Sequence, residues 1–95
     1  MIHLVAYDIA QEKRLNAVAR VCEDFGIRIQ KSLFVCNLGS VDFVRLWQRL
    51  AVLIDDEEDR IVDYPICETC WRKQRVLGGQ TVASPLGENA DGWVF

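Results

Sequence analysis

The stretch Ile2 to Asp8, IHLVAYD, constrains the fold of this chain more than any other. Leu4, Val5, Ala6 and Tyr7 are consecutive and apolar, so both faces of a strand would be buried, and the run is too short for a helix. A strand of that kind belongs inside a sheet. It ends on a carboxylate, Asp8, and carboxylates leave water reluctantly. Asp8 therefore either opens the next helix as its N-cap, a role worth about 1 kcal/mol, or stands at the strand end to do chemistry.

From Gln11 the period changes. Leu15, Val18, Ala19, Cys22 and Phe25 recur at three and four, with Lys13, Arg14 and Arg20 elsewhere on the cylinder, which predicts an amphipathic helix ending near Phe25. Gly26 suits the left-handed position that closes such a helix. In IRIQKSLFVCNL the alternation shifts register across Gln30 to Ser32, so a bulge or tight reversal is expected there. Ser40 is a credible N-cap with Asp42 in the first turn. Phe43, Leu46, Trp47, Leu50, Leu53 and Ile54 then repeat at helical spacing. RIVDYPI alternates as a strand that Pro65 ends or places at an edge. CETCWRKQ fits one helical turn, RVL a short strand, and Gly78-Gly79 a stop. Two helices of similar weight on one sheet predict an α+β, ferredoxin-like βαββαβ sandwich over residues 1–79. Residues 80–95 read as a tail whose Trp93, Val94 and Phe95 need a docking surface.

Ninety-five residues bury only a modest core, so a homodimer that hides more apolar surface is the expectation. The tail would then donate an edge strand to the partner's sheet. No apolar run approaches the roughly 20 residues of a membrane span, and Asp8 comes too early for a signal peptide, so a cytoplasmic protein with no membrane contact is expected. Cys22, Cys36, Cys67 and Cys70 are then reduced thiols rather than staples. The net charge of −3 argues against a protein that coats nucleic acid unaided. The charge is unevenly spread, however. Lys13, Arg14, Arg20, Arg28 and Lys31 lie in the first third, while Asp55 to Asp59 is a run of five acids.

VAYDIA before a Lys/Arg-rich helix start, GIRIQKSLFVCNL, LIDDEEDRIVDYPICETC and VLGG together resemble the CRISPR-associated Cas-two family, from about Met1 to Gly79. The resemblance implies a ferredoxin-like fold, a homodimer whose sheets face each other, and a C-terminal strand donated across the interface. It implies metal-dependent nuclease activity, on RNA or DNA, assigned to the aspartate that ends the first strand, here Asp8. It also implies a partner, the Cas-one integrase, with which the family inserts captured double-stranded DNA as new spacers. Many relatives place Ser or Thr with an acidic residue where this chain has Ala10 and Gln11, which leaves Asp8 as a substitute cap.

One carboxylate is a poor site for Mg²⁺, which prefers octahedral oxygen ligands, so the metal reading needs two Asp8 residues across a twofold axis. His3 falls on the opposite side of the strand from Asp8 and is not expected to act as its base. Arg14, Arg20, Arg28 and Lys31 are candidates for phosphate contacts, which position nucleic acid without reading bases, and Arg14 and Arg28 are favoured because they flank the strand and helix ends nearest Asp8. Tyr7 and Phe34 are expected to line the site or fill the core. The Cys67/Cys70 pair is half of a zinc site or a redox pair if active, and a pair of buried thiols if not. Three functions follow: a dimeric adaptation scaffold for an integrase, a stand-alone metal-dependent endonuclease using paired Asp8 residues, and a small redox or zinc module. The acidic balance favours the first, because a dimer of charge −6, twice −3, holds DNA weakly without a basic partner.

Overall fold

The computed structural model describes residues 1–79, so the tail expected to dock across a dimer lies outside them. The elements are β1 (Ile2–Asp8), α1 (Glu12–Phe25), β2 (Ile27–Gln30), β3 (Leu33–Asn37), α2 (Ser40–Ala51), β4 (Arg60–Ile66) and the short α3 (Glu68–Arg72). The strands form one antiparallel sheet ordered β2-β3-β1-β4. This is the βαββαβ order read from the sequence, with α3 added after β4. As expected from its two apolar faces, β1 is interior, and Pro65 lies in the edge strand β4, where its missing N–H costs no ladder bond.

Register assigns the two faces. His3, Val5 and Tyr7 stand opposite Cys36 and Phe34 of β3 and opposite Pro65, Asp63 and Ile61 of β4. On this side Val18, Ala19 and Cys22 of α1 and Leu46 and Leu50 of α2 complete the main core with Val5, Phe34 and Cys36. Ile2, Leu4, Ala6 and Asp8 point to the other face, with Val35, Val62 and Ile66 as cross-strand neighbours. Here Ile2, Val35 and Trp71 of α3 are buried, and Leu4, Ile27, Ile29 and Ile66 pack half-buried against them. The α2 stripe is core at Leu46 and Leu50, whereas Trp47 is partly exposed and stacks on Phe43, with ring centroids 5.4 Å apart.

Four local expectations are corrected. Gly26 does not close α1 in the left-handed region: its φ is −165°, extended backbone. Glycine is required there by close approach, because a Cβ would run into the Val35 carbonyl oxygen and the Cys36 Sγ. Ser40 is the first helical residue of α2 and Gly39 holds the cap position. Asp8 does not cap α1; Gln11 is the N-cap, through its backbone carbonyl to Leu15 N–H at 2.9 Å and with no side-chain bond. Arg75–Leu77 forms no strand, and the chain turns instead at Gly78 and Gly79, both with φ above +70° (73° and 78°). The register shift falls where alternation broke, between Arg28 and Gln30, and the reversal follows at Lys31 and Ser32.

Candidate functional site

The end of β1 and the β2–β3 reversal meet, because Tyr7 N–H donates to the Ser32 carbonyl at 3.1 Å beyond the last ladder pair. An open cavity of about 340 Å³ lies at this junction, lined by Tyr7, Asp8, Asn16, Arg28, Lys31 and Ser32 among others. Four of the residues singled out from sequence therefore converge: Tyr7, Asp8, Arg28 and Lys31. Asp8 is exposed, opposite Arg60 in register on the face away from α1 and α2. Arg28 comes from the helix side and lies over the Phe34 ring, 5.1 Å from its centroid, with Nη2 3.5 Å from the Tyr7 hydroxyl. That hydroxyl donates, at 3.5 Å, to the Lys31 carbonyl. The aromatic platform holds the guanidinium by its face and leaves N–H donors for an incoming anion.

The remaining candidates are placed elsewhere. Arg14 is bound to carboxylates: Nε donates to Asp59 Oδ2 at 2.8 Å and Nη2 to Glu58 Oε2 at 3.0 Å. It ties α1 to the loop before β4 and does not line the cavity. Arg20 is exposed on α1 away from the cavity lining. Phe34 is fully buried, with its ring 6.2 Å from that of Tyr7, so it supports the site from the core rather than lining it.

Asp59 is the residue that sequence reasoning missed. The acidic run reads as solvated charge, yet the Asp59 side chain is 0 % exposed. It accepts from the backbone N–H of Ala10 at 2.9 Å and of Asp55 at 2.8 Å as well as from Arg14. The hydrogen bond from the Arg14 guanidinium, helped by the two backbone donors, holds this carboxyl well below the usual carboxylate range. Because Ala10 lies two residues past Asp8, the contact fixes the turn that leaves β1. Asp59 immediately precedes β4, whose first residue is paired with Asp8, and that adjacency was the available signal. Asn16 and Ser32 were also missed as lining residues.

His3 lies on the helix side, as alternation required. Its Nδ1 is 2.9 Å from Asp63 Oδ1 and its ring stacks on Phe43 at 4.3 Å. Cys22 and Cys36 are buried, and burial pushes their thiols up to about 12 and about 11. Cys67 and Cys70 are exposed, which overturns the expectation of buried thiols for that pair. Cys22, Cys36 and His3, the further ligands a zinc site would need, are all on the helix side. Among the described residues no group of three or more His, Cys, Asp or Glu side chains is placed to hold a metal.

Asp8 fits Mg²⁺ in one respect: an exposed carboxylate oxygen is the kind of ligand that an ion keeping several waters accepts.

The comparisons with known proteins agree with one another. The family model described as CRISPR associated protein Cas2 matches residues 1–74. A Moorella thermoacetica protein named CRISPR-associated endoribonuclease Cas2 1 is 41% identical over 73 residues, 72% of this chain and 76% of that protein. A Halalkalibacterium halodurans protein named CRISPR-associated endonuclease Cas2 is 36% identical over 85 residues, 84% of this chain and 88% of its own length. The crystal structure of Streptococcus pyogenes Cas2 at pH 6.5 superposes with a TM-score of 0.74 at 37% identity, covering 82% of this chain and 100% of that one. No helix of the described residues is long and apolar enough to cross a membrane.

Proposed function

This chain belongs to the CRISPR-associated Cas2 family, and from that premise we propose that it serves in spacer acquisition as a homodimeric scaffold holding double-stranded DNA for the Cas-one integrase. The observation that carries the reading is the sheet face bearing Asp8. Leu4, Leu33, Val62 and Ile66 on that face are only half-buried, and Tyr64 is exposed. A second copy laid face to face covers them and brings the two Asp8 residues toward a shared axis. The chain's charge of −3 leaves most of the DNA affinity to a basic partner. Arg28 and Lys31 contribute a local phosphate contact on each protomer. In a cytoplasmic setting the integrase should co-purify with the full chain, and Asp8→Asn should still support spacer integration. Lost integration with an intact dimer and an intact integrase complex overturns the scaffold reading.

The cavity favours a second reading, an endonuclease that uses Mg²⁺; the relatives above are named endoribonuclease and endonuclease. Paired Asp8 carboxylates would hold the ion, which neutralises phosphodiester charge and acidifies water when bound. Arg28 and Lys31 orient the phosphate from the cavity wall, and Tyr7, fixed by its backbone bond to Ser32, shapes the floor. Cleavage of RNA or duplex DNA by the purified chain, abolished by Asp8→Asn and by chelation, supports this reading. Cleavage that survives Asp8→Asn removes it.

A further inference from the structure

The Cys67/Cys70 pair takes no part in either reading, yet its arrangement is specific. Cys67 is the N-cap of α3, and its Sγ accepts the Cys70 N–H at 3.3 Å. The two residues are separated by one helical turn, which sets their Cα atoms about 5 Å apart. That lies within the roughly 4.4–6.8 Å a disulfide accepts. Both thiols are exposed. Cys67 also lines an open cavity of about 340 Å³ with Met1, Ile2, Asn37 and Glu68, which gives a small reagent access to its sulfur. A packing role does not account for two solvent-facing sulfurs, and a capping role would be filled equally well by serine at position 67.

We propose that Cys67 and Cys70 form a thiol–disulfide exchange site whose substrate is a low-molecular-weight disulfide. The Cys67 thiolate attacks one sulfur of the incoming disulfide, forming a mixed disulfide and expelling the first thiolate. The Cys70 thiolate then attacks the Cys67 sulfur, closing the Cys67–Cys70 bond and expelling the second. Two electrons pass from the dithiol to the reagent, and the protons lost by the two cysteines are taken up by the two thiols released. The roles follow from the local bonding. The Cys70 N–H, with the Cys70 thiol, stabilises a negative Cys67 sulfur and lowers its pKa, whereas the same contact raises that of Cys70.

The step has a structural consequence. Trp71, next to Cys70, is buried against Ile2 and Val35 on the face proposed to meet the second copy. A change at the pair therefore acts one residue from that face.

The test uses the reduced full chain equilibrated in glutathione buffers of graded potential, quenched with an alkylating agent and mapped by mass spectrometry. Cys67 should alkylate faster than Cys70 near neutral pH, and the Cys67–Cys70 peptide should lose two hydrogens as the buffer becomes oxidising. Cys70→Ser should accumulate a glutathione adduct on Cys67 that the native chain resolves. Cys67→Ser keeps the cap and the fold and should form neither adduct nor disulfide at Cys70 at a comparable rate. Buried Cys22 and Cys36 are internal controls and should stay unmodified in the folded protein. Equal alkylation of Cys67 and Cys70 across the whole range of potentials overturns the proposal. So does a purified chain carrying stoichiometric zinc that protects both thiols.

Discussion

Phe34 separates a site built on a core from a site made of binding residues. Its side chain is fully buried between the sheet and the helices, with Tyr7 against one side and the Arg28 guanidinium over its ring. Truncation to alanine removes the ring and leaves a cavity the fixed strands cannot close, which costs about 3–5 kcal/mol. A domain of this size has roughly 5–15 kcal/mol in total. With a urea dependence of about 1–3 kcal/mol per molar, Phe34→Ala should lower the unfolding midpoint by roughly 1–5 M at fixed chain concentration. Phe34→Leu keeps most of the volume and should cost under about 1.5 kcal/mol. The assay is urea unfolding followed by far-ultraviolet circular dichroism, in parallel with nucleic-acid binding under strongly native conditions. The leucine variant should bind with nearly native affinity once its folded fraction is counted. A Phe34→Ala protein as stable as the parent that has nonetheless lost binding would refute the placement of Phe34 beneath the site.

Three further outcomes rest on other contacts. Because Asp59 titrates below its unfolded value, its contribution to stability is complete above about pH 4 and is lost as the pH falls through its folded pKa. Asp59→Asn should therefore be less stable than the parent at neutral pH and converge toward it in acid; a constant difference across an acid titration of the unfolding midpoint contradicts the clasp. Gly26→Ala places a Cβ against the Val35 carbonyl oxygen and should destabilise by about 1–3 kcal/mol in thermal unfolding; a neutral effect means that β3 is free to shift. Arg28→Gln with Lys31→Gln should lower stability by no more than about 1 kcal/mol, the guanidinium's contact with the Phe34 ring, and flatten the salt dependence of duplex binding by about 0.9 log units per phosphate contact removed; an unchanged slope takes the cavity out of the nucleic-acid path.

The elements of this fold were legible because period and burial coincide. The apolar run at Leu4 to Tyr7 required an interior strand, and the register break at Gln30 to Ser32 marked both the bulge and the reversal. Asp8, Tyr7, Arg28 and Lys31 were each singled out from sequence, but that they share one cavity follows from the pairing of β1 and β2 with β3. The pairing of Arg14 with carboxylates was hidden for the reason Asp59 was missed. The pair joins residues 45 apart in sequence, and a charge run reads as solvated until the fold shows which member turns inward. Gly26 was assigned the right boundary and the wrong cause, since its need for a bare backbone comes from β3, a strand that local propensity does not consult. The CxxC exposure depended in the same way on where α3 settles after β4.

The pairing of Asp8 with its twin is tested most directly by Mn²⁺ binding to the purified full chain, followed by calorimetry alongside sedimentation. The account predicts a particle of about 22 kDa, twice the 10.9 kDa chain, that binds one ion per two chains. Asp8→Asn should abolish that binding and leave the mass unchanged. One ion per chain, or binding indifferent to Asp8, would contradict it.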